Sequence, residues 1–172
     1  MRLVTGIPTP PNALALDAGC GLGRNAIALA ACGWNVVCAD RDANRLRQLE
    51  VTKHRTLCSI RKPGIDPGEL ICVCVDLENQ RWPFAEGVFH LIVGVHFVKP
   101  SLFPRFAASL RHGGHAYFET FGGHGDNGLA LPKPGVLRRE LRRQFCLIRY
   151  QEKIASVRHP NTVSVKALAQ RL

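Results

Sequence analysis

Short apolar runs recur along this chain, and most are closed by an acid or a glycine. Ala13 to Leu16 runs into Asp17 and a glycine cluster, which predicts a buried strand entering a tight turn. Asn35 to Ala39 stops at Asp40, Leu70 to Val75 stops at Asp76, and Val88 to Val95 and His115 to Thr120 predict two further strands. Between them, Asn25 to Ala31 is rich in alanine and leucine and closes at Gly33, as a helix with a C-terminal glycine does. Asp42 is placed to cap a helix to about Lys53, with Leu46, Leu49 and Lys53 on one face. Ser101 to Leu110 predicts a helix that tolerates Pro104 only in its first turn. His54 to Glu69 carries Pro63, Gly64, Pro67 and Gly68 and reads as loop, and Phe121 to Gly135 as a glycine-rich, mobile loop. Val136 to Arg143 then predicts a helix, and Phe145 to Tyr150 and Val163 to Leu168 two last strands. The first twelve residues, with Pro8, Pro10 and Pro11, predict an extended arm. Strands alternating with helices imply an α/β fold, a mostly parallel seven-stranded sheet with helices on both faces. At 172 residues, the expectation is one domain over 1–172.

The densest chemistry lies in Asp17-Ala18-Gly19-Cys20-Gly21-Leu22-Gly23-Arg24-Asn25, between a predicted strand and a predicted helix. Glycines there permit a sharp turn and let backbone N–H groups come close to a ligand. A dinucleotide-binding turn usually spaces its glycines G-x-G-x-x-G and holds a pyrophosphate at the helix N-terminus. This chain shows G-x-G-x-G preceded by an acid, which suits a cationic ligand better than a pyrophosphate. Asp40 and Asp76 end the next two strands. In open α/β sheets ligands bind outside the carboxyl ends of the strands, so the three acids converge there. A carboxylate after the second strand can accept both hydroxyls of a ribose. One after the third can accept from an exocyclic amine, with the Leu77 N–H meeting a ring nitrogen.

Ala15-Leu16-Asp17 through Arg24-Asn25, with Gly33-Trp34-Asn35-Val36-Val37-Cys38-Ala39-Asp40, resembles the first two motifs of class I S-adenosylmethionine (SAM)-dependent methyltransferases. Gly23-Arg24-Asn25 is similar to the tellurite-resistance-type enzymes and their bacterial relatives. Cys74 to Glu78 followed by Trp82-Pro83-Phe84 resembles the third motif, and Phe89 to Val98 and Gly113 to Phe121 the fourth and fifth strands. The resemblance covers roughly residues 13 to 121 and implies a Rossmann-like fold with SAM as cofactor. It implies that Asp17, Gly19, Cys20, Gly21, Gly23 and Arg24 surround the methionine part. Asp40 would take the ribose with Arg41 beside it, and Asp76 with Leu77 the adenine. His96, just past the fourth strand, falls where the family lines the methyl-transfer site; Tyr117, Glu119 and Thr120 are nearby candidates. An imidazole there could orient an acceptor or take its proton. Gly94 to Pro100 lacks the Asn/Asp-Pro-Pro-Tyr segment of adenine-N6 enzymes, and no cysteine lies between Cys74 and Cys146 for cytosine-C5 chemistry.

Lys and Arg outnumber Asp and Glu by 23 to 13, a net charge of +10 that makes RNA an alternative acceptor to a small molecule. The basic residues are spread over Arg41 to Lys62 and Arg138 to Arg149 without a dense tract, and no appended nucleic-acid module is evident. The resemblance points to a small nucleophile, a soft anion or thiol. A catalytically degenerate SAM-binding partner domain and an NAD-dependent oxidoreductase are the other classes kept open. The seven cysteines include no Cys-x-x-Cys pair, so no metal is expected, and Cys32, Cys38, Cys72, Cys74 and Cys146 read as reduced and buried. No apolar run approaches the roughly 20 residues of a membrane span. A cytoplasmic protein of unassigned oligomeric state is the expectation.

Overall fold

The computed structural model describes residues 7, 9–60, 63–120, 132–156 and 159–172. Seven strands form one sheet: β1 (Leu14–Ala18), β2 (Asn35–Asp40), β3 (Leu70–Cys74), β4 (Phe89–Val95), β5 (Leu110–Glu119), β6 (Phe145–Ser156) and β7 (His159–Arg171). Their order across the sheet is β3-β2-β1-β4-β5-β7-β6. The first five are parallel, and β7 runs antiparallel to both β5 and β6. The chain winds outward from β1 to β3 and then returns to place β4 on the other side of β1. That reversal opens a crevice at the carboxyl ends of β1 and β4, where doubly wound sheets bind ligands.

Period-two alternation in the central strands sends neighbouring residues to opposite faces. Leu16, Ile92, Ala116 and Phe118 pack with Phe103, Phe106, Leu137, Leu141 and Phe145 beneath α3 (Phe103–Ser109) and α4 (Val136–Arg142). Ala15, Val36, Leu91, Val93 and Tyr117 pack on the other face with Ala26, Ile27 and Leu29 of α1 (Arg24–Ala30) and Leu46 and Leu49 of α2 (Ala43–Ile60). Both faces of the sheet are therefore buried, which is why its strands read as nearly continuous apolar runs.

Several boundaries differ from the sequence expectation. β1 extends through Asp17 and Ala18, because Asp17 stays in register with Cys38 and Val93. α2 continues to Ile60 where loop was expected from His54. Thr52 and Thr56 turn their hydroxyls back to the carbonyls of Gln48 and Thr52, and Lys53 Nζ reaches the Leu70 carbonyl at 3.1 Å. The helix preceding β5 begins as a 3-10 turn at Pro100–Leu102 and becomes α only at Phe103. β5 starts at Leu110, with Arg111 to Gly114 bulged between the Phe89–Leu110 and Leu91–His115 pairs. β6 and β7 are longer than expected, because they pair with each other along nearly their whole length. The expected mobile loop at Phe121 to Gly135 falls, over 121–131, outside the described residues, as does most of the expected N-terminal arm. No helix among the described residues is long and apolar enough to cross a membrane.

Candidate functional site

The glycine loop joins β1 to α1 with Gly19, Gly21 and Gly23 at φ 69°, 56° and 74°, a left-handed region that side chains with a Cβ rarely adopt. Its backbone donors do not point at an open anion cradle. Gly19 N and Cys20 N both donate to the Ala39 carbonyl, at 2.8 and 3.1 Å, Gly23 N donates to the Cys20 carbonyl, and Gly21 N donates to Asp40 Oδ2 at 2.7 Å. This corrects the expectation that loop N–H groups face the ligand: four of them are committed within the protein. The Cys20 side chain is buried and hydrogen-bonded with the Cys38 thiol, which together with burial pushes the Cys38 thiol far up. Arg24, the first residue of α1, is exposed.

Asp17 is 1% exposed, and its Oδ2 accepts the Ala26 N–H at 3.0 Å, holding the first turn of α1 to the sheet. Burial is the dominant influence on it and, opposed by the Ala26 bond and reinforced by Asp40, raises its pKa to about 7. A carboxyl raised in this way holds its proton more tightly when folded. Its contribution to stability is complete below the unfolded value near 3.8 and is lost as pH rises through about 7. Asp17→Asn keeps an acceptor for Ala26 and cannot ionise. The variant is expected to match the parent near pH 4 and to gain on it with rising pH, by about 4 kcal/mol at most. Denaturant unfolding from pH 4 to 8 measures the difference, and a pH-independent gap would refute the shift.

At the ends of β2 and β3 the other two acids organise their own turns. Asp40 Oδ1 accepts from Asp42 N at 2.9 Å while Oδ2 holds Gly21. Asp76 Oδ1 accepts from Glu78 N and Asn79 N and Oδ2 from Asn79 Nδ2; with the Asn79 side chain the leading cause, its pKa lies below the ordinary value. Gln80 Oε1 accepts the Asp76 N–H. A carboxylate has about four acceptor positions. These bonds leave about two at Asp40 and one at Asp76. Beside them opens a cleft of about 480 Å³ lined by Arg41, Asp42, Cys74, Val75, Asp76 and Gln80. Leu77 buries its side chain in the core just beyond.

The chain leaving β4 makes a tight turn across the same crevice. Gly94 allows it, since a Cβ there would lie 2.7 Å from the Phe97 carbonyl. His96 sits at φ 60°, exposed, with its N–H on the Glu119 carbonyl at 2.8 Å. Phe97 folds inward, and its ring lies over Gly19, where a Cβ would meet Cγ at 2.6 Å. Lys99 pairs with Glu78 at 3.1 Å and so ties this segment to the turn after β3. Burial pushes the Glu119 carboxyl upward, but Lys166 at 2.7 Å and the Tyr117 hydroxyl outweigh it and leave the carboxyl below its usual range. Thr120 exchanges two hydrogen bonds with the Val165 backbone. Glu119 and Thr120 thus tie the end of β5 to β7, and the buried Tyr117 braces Glu119 from within β5. The cysteine expectation is also corrected: Cys38 is buried, but Cys74 and Cys146 are exposed.

Residues 6–66 match the family model of the tellurite resistance protein TehB. A SAM-dependent methyltransferase from Methanosarcina mazei superposes with a TM-score of 0.69 at 18% identity, over 99% of this chain and 97% of that one. A TehB-like SAM-dependent methyltransferase from Corynebacterium glutamicum gives 0.67 at 20% identity, covering 99% and 86%. The fold is that of the SAM-dependent methyltransferases, and the chain resembles their TehB type. TehB from Haemophilus influenzae gives 0.70 at 17% identity, over 99% of this chain and 60% of that one. No curated protein matches the sequence significantly.

On this methyltransferase fold Asp17, the glycine loop, Asp40, Arg41, Asp76 and Leu77 all gather at one end of the sheet, and His96 lies in the turn that leaves β4 at that end. Two neighbours escaped the sequence reading. Phe97 covers Gly19, and Gln80 lines the cleft beside Asp76. An aromatic residue following the expected His96 was a signal in plain view. Gln80 gave none, because its place depends on the turn that Asp76 builds.

Proposed function

We propose that this chain binds SAM across the carboxyl ends of β1, β2 and β3 and transfers its methyl group to a small-molecule nucleophile. The observation that carries the reading is the internal use of the loop donors. With Gly19, Cys20, Gly21 and Gly23 N–H groups committed to Ala39, Asp40 and Cys20, the loop is not built to cradle a pyrophosphate. It sits instead among carboxylates, which favour a cation. The residues also fit the rest of the group. Asp40 has spare capacity for two ribose hydroxyls, Asp76 for one amine hydrogen, and the cleft at Arg41, Asp76 and Gln80 is open for a flat ring. Gly19 and Phe97 would pack the methionine part, beside Arg24 and the ionisable Asp17.

When bound, the cofactor supplies a methyl group on a sulfonium, and its displacement requires alignment more than acid or base help. His96 and Phe97 would hold the acceptor in line from the β4 side, and His96 would take a proton where the acceptor carries one. A small acceptor is preferred to RNA because the family resemblance points to a small nucleophile, and part of the basic surface is already paired. Arg45 pairs with Asp42, Lys53 with Glu50, Arg139 and Arg143 with Glu140, and Arg138 lies over the Tyr150 ring.

Isothermal titration with SAM, S-adenosylhomocysteine and NADH tests the cofactor. Saturable binding of the two adenosyl ligands without NADH is expected; NADH alone would make the protein an oxidoreductase. With radiolabelled SAM, label is expected in small thiols or soft anions, and label confined to RNA would replace the acceptor proposed. His96→Ala is expected to lower turnover more than SAM affinity.

A further inference from the structure

At the opposite, amino-terminal end of the sheet lies a second cleft, of about 300 Å³, lined by His90, Arg111, His112 and His115 with Ile7, Pro10, Trp34 and the Gly113–Gly114 turn. It is built by the β5 bulge, which places four residues, Arg111 to Gly114, opposite His90 alone. Gly114 makes the bulge tight, since a Cβ there would lie 2.8 Å from the Arg111 carbonyl, and Gln170 Nε2 clamps it through the Gly113 carbonyl at 2.9 Å.

The hydrogen bonding around His90 is unbalanced. Its Nδ1 accepts the Leu14 backbone N–H at 3.1 Å. A backbone nitrogen can only donate, so that bond fixes the neutral ring with its hydrogen on Nε2. Burial, first, and then Arg111 lower the His90 pKa, in agreement with a neutral ring. Yet Nε2 faces Arg111 Nη1 at 3.2 Å, and a guanidinium also only donates. Two donors thus converge with no acceptor of their own between them, His112 and His115 stand at the same rim, and no Asp or Glu lines the cleft among the described residues.

We propose that this cleft is an oxyanion-binding site for a phosphate group, held by the Arg111 guanidinium and His90 Nε2–H with His112 and His115 at its rim. An oxygen seated between Nη1 and Nε2 would accept from both and resolve the conflict. Arginine suits the ligand because its donors are charged and its geometry matches that of phosphate oxygens. The group comes either as free phosphate or as a phosphate monoester on a small metabolite. The site lies far from the glycine loop and stands or falls independently of SAM binding.

The test is a titration of 15N-labelled protein with inorganic phosphate, and separately with glycerol phosphate, at constant ionic strength with chloride as the balancing anion. Long-range 1H–15N spectra of the imidazoles are expected to show His90 as the Nε2–H form, and to show its Nε2 and Arg111 signals moving saturably with ligand. Clearly tighter binding of glycerol phosphate would identify the monoester as the source. Arg111→Gln, at an exposed position, is expected to weaken binding about tenfold or more while leaving the SAM titration unchanged. The proposal is overturned by an Nδ1–H form at His90, by no saturable shift with either ligand, or by equal affinity in Arg111→Gln.

Discussion

Gly68→Ala is expected to destabilise this protein more than any other glycine-to-alanine change among the described residues. A methyl group at Gly68 would lie 2.0 Å from the Trp34 carbonyl oxygen, 2.3 Å from its carbon and 2.7 Å from the Asn35 nitrogen. These are backbone atoms at the start of β2, fixed on both sides, and no rotamer change can relieve the contact. Asn35 N donates to the Ala13 carbonyl, Val36 N to the Glu69 carbonyl, Glu69 N to Asn35 Oδ1, and Gly68 N to the Ala30 carbonyl. Separating the two segments would strain the bonds that start both β2 and β3. Overpacking of this kind costs about 3 kcal/mol or more when the neighbour cannot yield. For a chain of this size that is a fall of roughly 10 °C in Tm. Gly64→Ala is the control. Gly64 has φ 74° but open space around a Cβ, so only the backbone penalty of about 1 kcal/mol applies. Thermal unfolding of the two variants should separate them clearly, and equal losses would show that the close approach is not what requires glycine at 68. Because the contact lies at the end of the sheet away from the glycine loop, folded Gly68→Ala should bind SAM as the parent does.

Gly68 also marks where the sequence stops being informative. Its neighbourhood reads correctly as loop from Pro63, Gly64 and Pro67, but that Gly68 must be glycine depends on a crossing with Trp34 that only the β2–β3 register creates. The same division holds across the molecule. β1 to β4 were legible because short apolar runs end abruptly in Asp17, Asp40 or Asp76, or at a glycine-bearing turn. The extension of α2 was not, since past Lys53 its core-facing Leu57 stands among Thr52, Thr56 and Ser59, whose hydroxyls turn back to helix carbonyls and which read as loop in sequence. The bulge at Arg111 to Gly114 and the length of the β6–β7 pair are properties of pairing, invisible to a one-dimensional pattern. At the candidate site the acids and glycines were legible as types and spacings. Their present bonding partners were not: a loop N–H looks available in sequence, and only the fold brings the Ala39 carbonyl within 2.8 Å of Gly19 N.

Those partners define what Asp40→Ala should do. The side chain has two existing obligations, Gly21 N at 2.7 Å and Asp42 N at 2.9 Å, and about two free acceptor positions. On the proposed reading the free positions take the ribose hydroxyls, each a hydrogen bond to a charged group worth about 1.5–3 kcal/mol. Removing the carboxylate is therefore expected to weaken SAM binding by more than tenfold. It also releases the tip of the glycine loop and one donor before α2, whose first turn keeps its cap because Asp42 Oδ1 still accepts from Asn44 and Arg45. The fold should survive with a modest loss of Tm. Asp40→Asn separates the two duties. The amide can retain one acceptor bond to the loop but loses the charge and half of the acceptor capacity, so its stability should approach the parent while its SAM affinity stays well below. Calorimetric titration beside thermal unfolding reads both quantities on each variant. If both variants bind SAM as the parent does while Asp40→Ala melts earlier, Asp40 is a loop tie alone, and the ribose must be held elsewhere in the cleft.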